Sequence, residues 1–258
     1  MNWLCKTIKK HSIDIIIPGI ECDMFLWNLN RKTITSTGAF PLLNNKDLIK
    51  LSKDKWIFYK KLIISNPEYA IPTTLDNSFD KFQVPFLLKP RCGYGSRGII
   101  KINSIDEFDL YKHKIGEELM MQPIIGSIEE EYTVSAFFND SSKLIDYLSL
   151  KRKLSYEGFT QEAKVVDYNF TKILNDLAKV FNPIGPTNFQ FRMDGDSPKL
   201  LEINPRISSA TSIRAAFGYN ESLMSIDYFI NNKTPKKLDK SDIYNKRSIR
   251  YTKDYIFE

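Results

Sequence analysis

The stretch GPTNFQFRMDGDSPKLLEINPR, residues 185–206, contains the pattern that decides the fold. Polar and apolar residues alternate on both sides of a turn at Asp194-Gly-Asp, which is typical of two antiparallel strands joined by a tight turn. Successive side chains of a strand point to opposite faces. Asn188, Gln190 and Arg192 therefore share one face of the first strand.

The second strand of this hairpin adds oxygen atoms to the same face. Its alternation predicts that Leu200, Glu202 and Asn204 point the same way. With a turn near residue 196, Gln190 lies across from Glu202 and Asn188 across from Asn204. A carboxylate and amide oxygens suit Mg²⁺, which proteins usually hold with few ligands beside a nucleotide. The alternative interpretation is a polar face in contact with solvent.

A glycine-rich loop, KPRCGYGSRG, occupies residues 89–98 between two apolar segments. Glycines let backbone N–H groups approach phosphate oxygens, and Lys89, Arg91 and Arg97 add positive charge. The loop is not of the Walker type, because a strand follows it instead of a helix. It either binds phosphate or is a mobile turn with solvated arginines, and we interpret Cys92 within it as a passive residue.

Arg206 follows the second strand of the hairpin in the sequence Asn-Pro-Arg and precedes the small residues Ser208 and Ser209. A guanidinium fixed there is suited to bidentate binding of a phosphate or a carboxylate. The alternative is a surface ion pair.

Composition limits the class of protein. The chain has 258 residues, of which 42% are hydrophobic and 26% charged, which excludes collagen, coiled coil and wholesale disorder. No apolar run approaches the roughly 18 residues of a membrane span. The net charge of +6 suits nucleic acid, an anionic membrane or nucleotides, but zinc-finger and RNA-binding patterns are absent. Three scattered cysteines and the absence of a signal-peptide pattern predict a reduced, cytoplasmic protein.

The remaining sequence predicts alternating strands and helices, which favours an α/β or α+β domain. Helices are predicted over 2–11, 21–31, 45–65, 105–114, 171–181, 208–217 and 221–231. Strands are predicted over 12–18, 70–74, 86–90, 99–102, 119–122, 132–138, 144–151, 188–193, 200–204 and 249–255.

Three segments in this order resemble the ATP-grasp superfamily, specifically the ATP-binding halves of the carbamoyl-phosphate synthase large subunit. They are LLKPRCGYGSRGII, MMQPIIGSIEEEYTVSAF and GPTNFQFRMDGDSPKLLEINPRISSAT, and the resemblance runs from about residue 12 to the C-terminus. It implies an α+β fold with two lobes that hold ATP. The implied domains are a partial α/β pre-ATP-grasp domain with a connecting helix at 1–66, a lid subdomain at 67–123, and a C-terminal lobe with the metal site at 124–258.

The resemblance also implies an ADP-forming ligase that uses ATP and Mg²⁺ (or Mn²⁺) to activate a carboxylate as an acyl phosphate for attack by an amine. The alternative is an ATP-binding module without autonomous activity that needs a partner chain or an N-terminal segment. Because the sequence starts inside the pre-ATP-grasp domain, the strand at 12–18 would have an unpaired edge. We expect that the N-terminal region, about residues 1–40, either binds a second copy or a partner chain at this edge or is the least protected region in hydrogen exchange. The expected substrates are small-molecule carboxylates and amines, and neither nucleic acid nor membrane is expected as a partner.

Individual residues take their implied roles from this resemblance. Arg206 would stabilise the transferred phosphoryl group, Ile124 would offer its backbone N–H to adenine, and Glu131 would bind the ribose. The basic run 151–153 would help to close the site, unless it is a solvated strand end. The implied catalytic residues are Arg206 and Lys89; the implied nucleotide-binding residues are Lys55, Lys89, Gly93, Gly95, Ser96, Gly98, Gln122, Ile124, Glu131 and Gln190; and the implied metal ligands are Gln190, Glu202 and Asn204.

Overall fold

A computed structural model describes residues 1–93, 95, 97–155 and 158–257. Its strands form three sheets, and helices pack on them. The strands are β1 (Ile15–Ile16), β2 (Phe40–Pro41), β3 (Phe86–Pro90), β4 (Ile100–Ile102), β5 (Leu119–Pro123), β6 (Glu131–Phe138), β7 (Leu144–Leu154), β8 (Thr160–Val165), β9 (Gly185–Asp194), β10 (Ser197–Asn204) and β11 (Arg247–Ile249). The helices are α1 (Asn2–His11), α2 (Glu21–Leu29), α3 (Arg31–Thr35), α4 (Lys46–Leu51), α5 (Lys55–Ser65), α6 (Ile105–Tyr111), α7 (Thr171–Phe181), α8 (Thr211–Ala216) and α9 (Glu221–Phe229).

The largest sheet has six antiparallel strands in the order β10-β9-β6-β7-β8-β11. The amphipathic helix α7 covers one of its faces, and Leu174 and Leu177 pack there with Phe189 and Phe191 of β9. All four side chains are fully buried. The alternation of β9 therefore leaves its polar residues on the face opposite to this core, as the sequence predicts.

A smaller sheet, in the order β4-β3-β5, lies next to the large one. Its core is formed by Phe86 and Leu88 of β3, Met121 of β5 and Phe108 of α6. Three short strands and one helix bury little apolar surface, so the large aromatic side chains of Phe86 and Phe108 contribute much of this core. The glycine-rich loop connects β3 to β4 at one end of this sheet.

The N-terminal region corrects two predictions. The strand predicted over 12–18 is only two residues long, and β1 pairs in parallel with β2. The helix predicted over 45–65 is two helices, because Asn45 and Asp54 each cap a new helix. The Asn45 carboxamide accepts from the N–H of Asp47, and the Asp54 carboxylate accepts from the N–H of Trp56.

Three further boundaries differ from the prediction. Residues 70–73 form no strand, and Thr74 alone forms a β-bridge, with Met121. The last strand is β11, because the exposed residues 251–257 have no neighbouring strand among the described residues. The sequence analysis missed β8, whose segment TQEAKV is polar at four of its six positions, and it began α8 three residues early. None of the helices in the described part of the chain combines the length and apolar character that a membrane crossing requires.

The two-residue sheet should be less protected from hydrogen exchange than the large sheet. It is held by few backbone bonds, such as those from Phe40 N–H to Asp14 O at 2.8 Å and from Leu42 N–H to Ile16 O at 2.9 Å. Strand β9, in contrast, is paired on both sides. We expect the amides of β1 and β2 to exchange faster than those of β9, because exposed backbone bonds open locally. Equal protection in a monomer, measured by exchange and light scattering together, would contradict this.

Candidate active site

A cavity of about 290 Å³ lies between the small sheet and the polar face of the large sheet. It brings together most of the residues that the sequence analysis selected. Those on its wall are Lys55, Lys89, Gly93, Gly95, Gln122, Glu131, Gln190, Glu202, Asn204 and Arg206. Gly98 and Ile124 are absent from this wall, although Arg97 and Ile99 beside Gly98 are present. Ser96 lies outside the described residues.

The register of the β9–β10 hairpin agrees with the prediction. Gln190 pairs with Glu202 and Asn188 pairs with Asn204. A β-bulge between Leu200 and Glu202 makes this register possible, because it leaves one extra residue on β10. The prediction for Leu200 was wrong as a result, since this side chain lies in the core and is only 3% exposed.

A cluster of three charged residues, Glu131, Arg152 and Arg192, forms the part of the cavity wall next to Gln190. Glu131 is buried and accepts from Arg152 at 2.5 Å and from Arg192 at 2.6 Å. Burial acts to raise the pKa of Glu131, but the two guanidinium groups outweigh it and hold the pKa below its usual value. Arg152 also donates to Gln190 Oε1 at 2.7 Å. The carboxylate thus orients both arginines with its two oxygens, and the ribose contact stays a prediction.

Lys89 is the penultimate residue of β3 and lines the cavity. Its ammonium group has no hydrogen bond or ion pair with the part of the chain that the structure describes. Burial and the nearby positive charge of Arg192 lower the pKa of Lys89 to about 8, while Glu202 acts in the opposite direction. A cation that is poorly solvated and unpaired is a good binding partner for an anion that enters the cavity.

The glycine-rich loop is attached to the start of α5. Lys55 donates through its backbone to Arg91 O at 2.8 Å and through Nζ to Gly93 O at 2.6 Å. Arg91 forms an ion pair with Asp54 at 2.6 Å and also donates to Gly116 O. Arg91 therefore serves this attachment, so the expectation that it adds charge for a phosphate is wrong.

Two glycines of this loop adopt backbone angles that other residues rarely take. The φ angles are +64° at Gly95 and +75° at Gly98, and a Cβ at Gly98 would lie 3.0 Å from Pro90 Cγ. Gly158, in the loop after β7, approaches Gly95 so closely that a Cβ there would lie 3.0 Å from Gly95 O. The two loops therefore meet at the cavity mouth.

The side chain of Arg206 is largely buried, with 14% of it exposed. It donates through Nη1 to Ile207 O at 2.8 Å and through Nη2 to Glu21, the first residue of α2. Its Nε is buried and has no hydrogen-bond partner among the described residues. The predicted alternative of an ion pair is thus correct in part, but the pair lies on the cavity wall.

The predicted adenine hinge follows β5. Gln122 is buried and donates to Thr73 Oγ1 at 3.0 Å, which fixes its side chain on the cavity wall. Ile124 is 39% exposed and comes directly after the end of β5. Its backbone N–H has no partner among the described residues, and the adenine contact stays a prediction.

The predicted metal ligands fit a hard divalent cation in part. Glu202 accepts from Asn204 Nδ2 at 2.9 Å, which leaves Asn204 Oδ1 without a partner in the described part of the chain. One carboxylate and amide oxygens on neighbouring strands are donors that Mg²⁺ accepts. Gln190 Oε1 is bound to Arg152 and would have to exchange this partner for a metal. The described residues contain no group of three or more His, Cys, Asp and Glu residues that could hold a metal, so phosphate oxygens would have to complete the coordination.

Two features of the cavity wall were missed in the sequence. Glu21 lies 185 positions before Arg206, and no local pattern connects the two residues. Arg152 was grouped with Lys151 and Lys153 as a basic run, but the three have different roles. Lys151 pairs with Glu130 and Lys153 lies 3.6 Å from Glu162. The alternation of β7 could have separated Arg152 from its two neighbours.

Solved structures share this fold at low sequence identity. The biotin carboxylase domain of 2-oxoglutarate carboxylase from Hydrogenobacter thermophilus matches with a TM-score of 0.71 and 14% identity, over 95% of this chain and 59% of that one. N5-carboxyaminoimidazole synthetase from Staphylococcus aureus matches with a TM-score of 0.68 and 14% identity, over 88% of this chain and 63% of that one. L-amino acid ligase from Bacillus licheniformis matches with a TM-score of 0.58 and 14% identity, over 81% of this chain and 53% of that one. The chain thus spans about half to two thirds of the length of these proteins.

These similarities and the sheet arrangement define the chain as an α+β protein with the ATP-grasp fold, which confirms the predicted fold class. Residues 117–252, just over half of the chain, match the family described as ATP-grasp in the biosynthetic pathway with Ter operon, and the chain belongs to this family. A comparison with curated proteins finds no match in sequence.

Proposed function

We propose that this chain is an ATP- and Mg²⁺-dependent, ADP-forming ligase that joins a carboxylate to an amine. The observation that supports the proposal is the composition of a single cavity. It combines a lysine and an arginine Nε that have no partner among the described residues with a glycine-rich loop and a carboxylate beside amide oxygens. Structures of the neighbouring proteins were obtained with MgADP or ADP, which is consistent with a nucleotide in this place.

In this proposal the carboxylate oxygen of the substrate attacks the γ-phosphorus of ATP, and ADP leaves with the electron pair of the broken P–O bond. The amine then attacks the acyl carbon, phosphate leaves, and the amine loses one proton. Glu202 and Asn204 would hold Mg²⁺, with Gln190 as a further ligand, and the ion would neutralise phosphate charge. The chain's own contribution is to position the reactants and to place Lys89 and Arg206 beside the transferred group.

The finer assignments are also part of this proposal. The likeness to the ATP-binding halves of carbamoyl-phosphate synthase rests on the three sequence segments, and it supports the same order of activation and attack. The division at residues 66 and 123 places the small sheet in a lid and the large sheet in the metal-binding lobe. Small-molecule carboxylates and amines in the cytoplasm are the proposed substrates.

Replacing Lys89 tests this function directly. Lys89→Ala should weaken Mg-ATP binding at least tenfold in calorimetry, because a hydrogen bond to a charged group contributes about 1.5–3 kcal/mol. The matched control is Lys101→Ala, which removes an exposed lysine from β4 of the same sheet. Unchanged affinity in a folded Lys89→Ala chain would exclude Lys89 from the site.

Phosphate release separates the two candidate functions. An active ligase should release phosphate when the chain is mixed with Mg-ATP, carboxylates and amines, and Lys89→Ala should reduce this rate. Binding of Mg-ATP without any phosphate release in such mixtures would favour the module without autonomous activity.

The pKa of Lys89 predicts how nucleotide affinity depends on pH. An anionic ligand favours the charged ammonium and raises the pKa of Lys89 in the complex. When the pH is above the pKa of about 8 in the ligand-free protein, binding therefore takes up a proton. We expect the affinity for ADP to be full between pH 7 and 7.5 and to fall above pH 8, by up to tenfold per pH unit. Lys89→Arg should flatten this fall, because a guanidinium stays charged. The same decline in Lys89→Arg would assign the effect to another group.

A further inference from the structure

A second cavity, of about 310 Å³, lies next to the first one. Its size is at the lower end of small-molecule sites. The two cavities share six wall residues, which are Glu21, Lys55, Gly93, Gly95, Glu202 and Asn204. A molecule in the second cavity would therefore reach the predicted metal ligands and the phosphate loop with one end.

The rest of this wall is mainly apolar. Met24 and Phe25 of α2 form one side, Phe58 of α5 another, and Ile203 with Pro205 continue from β10. Met24 is 1% exposed and Phe58 is 6% exposed, so the inner wall is buried. The polar residues Ser52 and Lys53 also line the cavity, but Lys53 is exposed and lies on the solvent side. A charged group placed against Met24, Phe25 and Phe58 would lose hydration, and these three side chains offer it no polar partner.

A carboxylate already occupies the boundary between the two cavities. Glu21 accepts from Arg206 Nη2, while the adjacent Nε of Arg206 is buried without a partner among the described residues. Glu21 therefore accepts from only one of the two adjacent donors, Nε and Nη2, that a guanidinium can present to a carboxylate. A substrate carboxylate that replaced Glu21 would have access to both donors, at the point where the phosphoryl group would arrive.

We infer that the second cavity binds the substrate acid, and that this acid is a small monocarboxylate with an apolar aliphatic or aromatic body. The carboxylate binds to Arg206 in place of Glu21, and the apolar body lies against Met24, Phe25 and Phe58. This inference rests on the proposed function and names its substrate class. Glu21 acts as an internal competitor that keeps Arg206 oriented until the acid binds.

Calorimetry with simple acids in the presence of Mg-ADP tests this inference without turnover. Hexanoate and 3-phenylpropionate should bind at least tenfold more tightly than glutarate, which carries a second charge. Phe25→Ser should weaken hexanoate binding at least fivefold without changing Mg-ADP affinity. Leu29→Ser, on the same helix but exposed and outside both cavities, should change neither affinity. Glu21→Gln should strengthen hexanoate binding, because it removes the competing anion.

The outcomes separate this inference from the function on which it rests. Equal or tighter binding of glutarate to the unmodified chain would overturn the substrate class, whatever the variants do. Unchanged hexanoate affinity in a folded Phe25→Ser chain would overturn the assignment of this cavity. If Mg-ADP binds and neither apolar acid does, the inference fails and the proposed function remains. If Mg-ADP itself does not bind, both fail.

Discussion

Glu202→Gln should reduce Mg²⁺-dependent phosphate release by at least a hundredfold while keeping most of the metal-free affinity for nucleotide. Glu202 is the single carboxylate among the three predicted metal ligands, and Asn204 fixes one of its oxygens by a hydrogen bond of 2.9 Å. An amide in its place keeps the shape but not the charge that holds the cation. Phosphate release across a Mg²⁺ titration, with nucleotide binding in a chelator, measures both effects.

The matched control for this variant is Asp196→Asn in the turn of the same hairpin. Asp196 is exposed and lies outside both cavities, so its loss should leave the rate unchanged. Wild-type rates in Glu202→Gln would remove this residue from the metal site. A similar loss in both variants would point to distortion of the hairpin instead.

Glu221→Gln should lower the free energy of unfolding by about 3 kcal/mol or more. Glu221 and Arg214 form an ion pair in which both side chains are fully buried. The carboxylate accepts from Arg214 Nε, from Ser135 Oγ and from Thr211 Oγ1, each at 2.8 Å. Removing one charge leaves the other buried and uncompensated, which typically costs about 3–5 kcal/mol. Urea denaturation followed by tryptophan fluorescence would measure this loss.

Glu118→Gln is the control, because Glu118 forms an exposed pair with Lys114 at 3.5 Å. Exposed pairs contribute about 0–1 kcal/mol, so this variant should unfold almost as the unmodified chain does. A loss below 1 kcal/mol in Glu221→Gln would mean that water or a rearranged partner compensates Arg214. The pair also supports the candidate site, since Arg214 donates at 3.0 Å to Ser208, which lines the first cavity.

The fold was predictable from the sequence where local patterns were strong. The β9–β10 hairpin, α1 and α7 all have clear periodicity, and the structure confirms them at the predicted places. Strand β8 was missed because its consecutive polar residues Gln161 and Glu162 weaken the alternation. The prediction of one long helix over 45–65 was wrong. Asn45 and Asp54 each cap a separate helix, but these caps do not interrupt the spacing of the apolar residues on which the prediction was based.

The candidate site was predictable in its membership but not in its internal bonds. Composition and spacing selected Lys89, Glu202 and Arg206, and all three line one cavity. The partners of these groups come from distant parts of the chain. Glu21 pairs with Arg206 across 185 positions, so only the folded chain brings the two charges together. No periodicity within a strand or helix can encode such a contact.

The bulge in β10 makes the active face depend on the number of residues in the strand as well as on their identity. Leu200 and Ile203 lie in the core, while Leu201 and Glu202 between them both line the first cavity. Deleting Leu201 would remove the bulge and leave Glu202 and Asn204 opposite Gln190 and Asn188, whereas deleting Ile203 would shift Asn204 to the opposite face. An insertion in the 194–196 turn would be absorbed at the tip. The hairpin therefore tolerates changes of length at its turn, but the number of residues from Glu202 to Asn204 is fixed by the need to keep both side chains on the cavity face.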